Sequence, residues 1–284
     1  MEGFTGWIHG PSVAQSGRLD RVNRSSDELR LGLVQMASSL DPEENRQAFK
    51  TIADRLPPDT GLVLLPEAFA RDFGAPGSDI SAYAEPLDGP YVARLIEFAG
   101  ERDSMVIAGM FEVSEDPSRP YNTLAVVNRD GLIASYRKIH LYDSFGYKES
   151  DRLVAGPLDP VLVDVAGVRV GLMTCYDLRF PELARELVSR GAELLVVPSA
   201  WVAGPRKVEH WRTLVAARAI ENTAYVAAVG QPGPRYTGHS MVVGPAGEVV
   251  AEVADGEHVF SATVSHAEIE EARTTNPSLA NRRF

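Results

Sequence analysis

The stretch VGLMTCYDLRFPEL, residues 170–183, decides how the rest of the chain is read. Val170 to Met173 make an apolar run suited to a buried strand, and the run leads into Cys175, the single cysteine of 284 residues. A helix is expected to follow at once, started by Pro181, whose fixed φ and missing N–H suit a first helical turn. Strand, thiol and helix in that order form a junction where α/β proteins place reactive groups. A thiol in apolar surroundings also serves as a small core hydrophobe. The remaining residues have to decide between the two.

Outward from this junction, strand-like and helix-like segments alternate. Upstream, LRLGLVQM (29–36) reads as a strand, and 38–56 as a helix capped by Ser39 or Asp41. GLVLLPE (61–67) is a continuous apolar run, as expected for a strand buried on both faces. PYVARLIEFAGE (90–101) has helical spacing, and three strand-like runs follow at 104–113, 121–128 and 132–138. The last two are joined by the turn residues 128–131. VLVDV (161–165) and VRVGLM (168–173) flank Ala166-Gly167, a hairpin signal. Downstream come the strand ELLVVPS, the long helix KVEHWRTLVAARAIEN, four further strand-like runs, and a short helix near Glu268. Strand–helix–strand–helix followed by hairpins occurs in both halves. That order predicts an α/β chain with two mixed sheets covered by helices.

Composition narrows the partners. The formal net charge of −11 and pI near 5.1 leave a surface that repels phosphate backbones, which argues against nucleic acid. No run approaches the roughly 18 apolar residues of a membrane span. Residues 1–28 are polar and glycine-rich, lack the apolar core of a secretory signal, and read as a flexible extension before one domain over 29–284. A single cysteine forms no intramolecular disulfide, so a reducing, cytoplasmic compartment is the default.

Three polar residues end apolar strands: Glu67, Lys138 and Cys175. Each alone has an ordinary explanation, as a helix cap, a solvated strand end and a core filler. Together they form a usable set. A thiol is mostly protonated at neutral pH, so a nucleophilic one needs a base or a nearby cation. A carboxylate can take the proton, and an ammonium can favour the thiolate and then hold an oxyanion. His210 and His239 read as structural, and no His/Cys cluster has metal-ligand spacing.

The blocks LLPEAF, YRKIHLYD and GLMTCYDLRFPEL, in that order, resemble the nitrilase or carbon–nitrogen hydrolase superfamily. The resemblance runs from about Leu29 through HSMVVGPAGEVVAE. It implies a four-layer α-β-β-α sandwich, pairing into a homodimer or higher homo-oligomer, and neither metal nor organic cofactor. By motif position it implies Glu67 as general base, Lys138 as oxyanion stabiliser and Cys175 as nucleophile. The Tyr176 N–H would be a second oxyanion donor, and Glu149 in GYKES the second active-site glutamate. The chemistry implied is covalent: a thioester forms on Cys175, an amide nitrogen leaves as ammonia, and water releases the acid.

Within the family, TCYDLRFPEL, PSAW, the helix with HW and ARAIEN, and GHSMVV most resemble the small-amide branch of ω-amidases and deaminated-glutathione amidases. Substrates with a carboxylate would call for a cation in the pocket. Arg179 is one candidate, its alternative being a brace from the turn to Asp177 or Glu182. Arg206 and Lys207 are others, in a loop, VAGPRKVEHW, that departs from the shorter neutral segment of many members. Trp201 and Tyr142 are candidate pocket walls. N-carbamoyl-amino-acid or nitrile hydrolysis by the same triad stays open, as does a catalytically silent binding scaffold. A thiol redox role lacks a resolving cysteine and would need an external thiol.

Overall fold

A computed structural model of the chain describes residues 28–283. The reading of residues 1–28 as an extension lies outside the described residues, except for Glu28, which opens the first strand. In β1 (Glu28–Gln35), Leu29, Leu31 and Leu33 face one side and Val34 the other. The same period-2 split recurs in β2 (Leu62–Leu64), β3 (Met105–Glu112) and β4 (Tyr121–Asn128). Leu62, Leu64, Ile107 and Leu124 join the core shared with the second sheet. Val63, Val106 and Ala125 instead pack under α1 (Pro42–Arg55) and α2 (Pro90–Arg102). Each such Leu, fully buried, contributes about 1.5–3 kcal/mol. Asp41, rather than Ser39, caps α1: its carboxylate accepts the Glu43 N–H at 2.9 Å, with Pro42 following.

β5 (Gly131–Arg137) completes this sheet's edge, and a two-strand ribbon of β6 (Asp143–Ser144) and β7 (Tyr147–Lys148) leads away from it. The second half supplies β8 (Leu162–Val165), β9 (Val168–Leu172), α3 (Pro181–Ser189), β10 (Leu194–Ser199), α4 (Lys207–Asn222) and β11 (Tyr225–Gly230). β12 (Met241–Val243), β13 (Val249–Glu252), β14 (His258–Ser265) and α5 (His266–Thr275) finish the chain. The sheet orders are β14-β1-β2-β3-β4-β5 and β13-β12-β11-β10-β9-β8. α1 and α2 cover one sheet and α3 and α4 the other, giving the α-β-β-α sandwich.

The expected junction differs in one detail. α3 begins at Pro181, but a 3-10 turn over Cys175–Arg179 comes between it and β9. Within each sheet the central strands β1-β2-β3 and β9-β10-β11 are parallel. β5 reaches the same direction as β3 through two antiparallel pairings. Their C-terminal ends therefore gather at one end of the sandwich, where ligands of parallel sheets are bound.

Candidate active site

Glu67 lies three residues beyond β2, because Pro66 ends the pairing. Its backbone presses on β3 at Gly109, where a Cβ would stand 2.4 Å from the Ala68 nitrogen and 2.7 Å from Glu67 Cα. Only glycine allows that approach. Gln231, just after β11, donates from Nε2 to the Glu67 carbonyl at 2.9 Å. The side chain is equally fixed. Oε1 accepts from Lys138 Nζ at 2.9 Å and Asn122 Nδ2 at 2.7 Å, and Oε2 accepts the Ala200 N–H at 2.6 Å.

Lys138 follows β5 and is buried. Besides Glu67 it donates to both oxygens of Glu149, at 3.2 and 2.9 Å. Burial opposes its charge, yet Glu149 and Glu67, with Cys175, overcome that and hold its pKa well above the ordinary lysine value. Glu149, in a short 3-10 turn after the ribbon, also accepts the Tyr142 N–H at 2.6 Å. Burial raises its pKa first, Lys138 draws it back, and Glu67 adds to the rise. Two carboxylates around one ammonium, all buried, thus form a closed acid–base cluster.

Cys175 meets this cluster from the second sheet. Its φ is +46°, the left-handed region that costs a non-glycine residue of order 1 kcal/mol or more. Such strain survives where surrounding contacts dictate it, and here it turns the thiol into the cavity. Burial pushes the Cys175 thiol well up, Glu67 and Glu149 add to this, and Lys138 opposes it. The thiol therefore keeps its proton, with the Glu67 carboxylate lining the same cavity.

Cys175, Glu67, Lys138 and Glu149 line one cavity of about 680 Å³, together with Tyr176, Tyr142 and Trp201. That volume suits a small organic ligand. Arg206 is not brought there. It precedes α4 with a φ of +60° and pairs with Glu209 at 2.9 Å on the surface, where its side chain is 73% exposed. The next residue, Lys207, opens α4 and enters the cavity instead, because the left-handed backbone at Arg206 turns the two side chains apart. Its Nζ donates to Tyr142 Oη at 3.0 Å and lies 3.9 Å from the Phe145 ring centre.

Arg179 is set behind the rings of Tyr176, Trp201 and Phe145, at 5.9, 5.0 and 5.8 Å from their centres. It braces neither Asp177 nor Glu182: its Nε and Nη2 are buried without a hydrogen-bond partner. Asp177 is bonded instead by Tyr136, His140 and Thr174. A third cation, Arg235, is neutralised by Asp72 at 2.9 Å. His210 and His239 do not line the cavity. Asn122, Ala200 and Gln231 complete the surroundings of Glu67, and the sequence does not mark Ala200 or Gln231 for that place. Only Asn122, a polar residue inside the apolar run 121–128, carried a signal there.

An α-β-β-α sandwich whose parallel strand ends bring together a thiol, a lysine and two glutamates defines a class of thiol hydrolases acting on carbon–nitrogen bonds. The family model for "Carbon-nitrogen hydrolase" matches residues 30–274, and the chain belongs to that family. It is 40% identical to the deaminated glutathione amidase of Escherichia coli O157:H7 over 227 residues, covering 80% of this chain and 86% of that protein. It is 35% identical to human omega-amidase NIT2 over 268 residues, covering 89% and 95%. Among solved structures, Saccharomyces cerevisiae Nit3, a member of branch 10 of the nitrilase superfamily, superposes with a TM-score of 0.81 at 31% identity. That match covers 90% of this chain and 97% of the other.

Proposed function

We propose that the chain is an amidase for small amides bearing a carboxylate, with Cys175 as nucleophile. The observation that carries the substrate reading is Lys207: a buried ammonium lining the cavity, with no carboxylate in ion-pair reach among the described residues. Burial lowers its pKa, and Arg179 nearby lowers it further. The Lys207 ammonium makes a place for an anion in the cavity, and the Arg179 guanidinium adds positive charge from behind the rings. The relatives named for omega-amidase and deaminated glutathione amidase activity support the same substrate class.

In the reaction, Sγ attacks the amide carbon while its proton passes to Glu67. Lys138 Nζ and the Tyr176 N–H hold the oxyanion. Glu67 returns the proton to the departing nitrogen as the C–N bond breaks, leaving a thioester. Glu67 then takes a proton from water and the hydroxyl adds to the thioester; the C–S bond breaks as Glu67 passes that proton to Sγ, which releases the acid and restores the thiol and the carboxylate. Glu149 holds Lys138 in place and shares its charge. Trp201 and Tyr142 form walls beside Lys207. A homodimeric enzyme fits the reading, supported by exposed apolar side chains at Ile220 on α4 and at Val249 and Val250 on β13.

The test is ammonia or amine release across a panel of 2-oxo-acid amides, uncharged amides, N-carbamoyl amino acids and nitriles. Turnover of the anionic amides, lost in Cys175→Ala, and a thioester adduct on Cys175 in the intact mass are expected. An idle panel with an unreactive Cys175 would favour the silent scaffold.

A further inference from the structure

Lys138 and Cys175 come from different sheets, after β5 and β9, so something must hold one strand end against the other. Asp177 does so. It lies in the turn that carries Cys175 and is fully buried. Its Oδ2 accepts the Thr174 N–H at 2.8 Å and the Tyr136 hydroxyl at 2.7 Å. Its Oδ1 accepts the His140 N–H at 3.1 Å and meets His140 Nδ1 at 2.7 Å. One partner belongs to the nucleophile turn, and the other three flank Lys138 two residues before and two after.

A carboxylate has about four lone-pair sites, and all four are used here. Burial, with Asp177 next, raises the Tyr136 pKa well above the ordinary value, so the phenol keeps its proton and donates. Asp177 has no Lys or Arg partner among the described residues; its only cationic candidate is His140. The His140 ring is itself fixed, stacked on Phe180 with centroids 3.8 Å apart and planes 8° from parallel. Phe180 closes the same turn and leads into α3. A buried carboxylate is a poor way to gain stability alone, since an apolar group of the same shape serves as well or better. What it adds is direction, because its four bonds tie the two strand ends in one register.

We propose that Asp177, Tyr136 and His140 form a positioning unit that fixes Lys138 against Cys175. It rests on the hydrolase reading only in taking Cys175 as the nucleophile. The unit touches no substrate and acts through the relation of ammonium to thiol. Disturbing it leaves the thiol facing Glu67, Glu149, Tyr142 and Lys207 with a poorly aligned Lys138. Lys138 is the neighbour that most favours thiolate, so its misalignment moves thiolate formation to higher pH.

The test is the rate of Cys175 alkylation by iodoacetamide against pH, which needs no amide and so stands even if the substrate assignment fails. Tyr136→Phe removes one oxygen, His140→Leu removes the ring donor, and His140→Asn restores a donor near the Nδ1 position. Tyr136→Phe and His140→Leu should each slow alkylation at pH 7 about tenfold and move its midpoint upward, with His140→Asn within about threefold of wild type. On any amide that is turned over, the loss should fall in kcat with KM unchanged. If Tyr136→Phe and His140→Leu follow the wild-type alkylation curve, whatever their melting temperatures, the unit is only structural and the proposal fails.

Discussion

Two lysines line the same cavity, and their surroundings are opposite. Lys138, on the floor, is enclosed by Glu67 and Glu149. Lys207, on the wall, has a phenol and aromatic rings about it and no carboxylate. Burial acts against both ammonium groups. At Lys138 the carboxylates reverse that effect and raise the pKa; at Lys207 nothing does, and Arg179 deepens the lowering. The first lysine is satisfied by the protein, and in the proposed reaction its charge serves the reacting atoms. The second lacks an anion, and on the proposed reading its charge selects one from solution.

The largest effect should come from breaking the floor. Lys138→Met leaves two buried carboxylates without a cation, and truncating one partner of a buried pair costs about 3–5 kcal/mol, a fall in Tm on the order of 10 °C. Because the folded pKa of Lys138 is raised, its stabilisation is fully present below the unfolded value near 10.4 and lost only as pH climbs through the folded one. The whole deficit should therefore be seen at neutral pH. It should shrink toward acid, where the stranded carboxylates take up protons. Turnover should be lost at every pH. Thermal melts from pH 5 to 9 beside kcat check this, and a variant melting with wild type would place the cluster's stability elsewhere.

Lys207→Met should have the reverse profile. Kcat/KM for anionic amides should fall about tenfold to a hundredfold, the worth of a charged hydrogen bond, while uncharged amides change by less than about twofold. Stability should hold or rise, since a buried ammonium without a counter-charge is removed. A lowered folded pKa also fixes the sign with pH. In the wild type, KM for the anionic amide should climb as pH rises through a range below that of an ordinary lysine. The stability cost of the ammonium disappears over the same rise. A KM flat with pH and equal losses for charged and uncharged amides would show that Lys207 does not read charge.

The floor was far more legible in sequence than the wall. Glu67, Lys138 and Cys175 each close an apolar run, and parallel strands deliver their ends to one place, so order along the chain foretells proximity. Glu149 followed from its motif. The two-sheet order was readable from repeated strand–helix units. However, β14, though late in the chain, pairs with β1 over eight residues, a contact no local pattern announces. Asp177 stands within the opening stretch, where proximity in sequence offers it only as a partner for Arg179. Its real partners, Tyr136 and His140, lie 41 and 37 residues upstream. Hydrogen-bond direction across sheets has no signature in spacing.

The smallest effect separates adjacent residues that sequence alone leaves equivalent. Arg206 and Lys207 carry the same charge, and both stood as candidates for the substrate's carboxylate. The backbone parts them: Arg206 takes a left-handed conformation, and its guanidinium meets Glu209 in water. An exposed pair of this kind contributes about 0–1 kcal/mol, and salt screens it further. Arg206→Ala should therefore change KM for anionic amides by less than about twofold and Tm by no more than about 2 °C. Were Arg206→Ala to raise KM as far as Lys207→Met, long-range attraction by the loop rather than contact in the cavity would govern charge selection. Raising ionic strength would separate the two, since salt weakens attraction across solvent far more than a bond made inside the cavity.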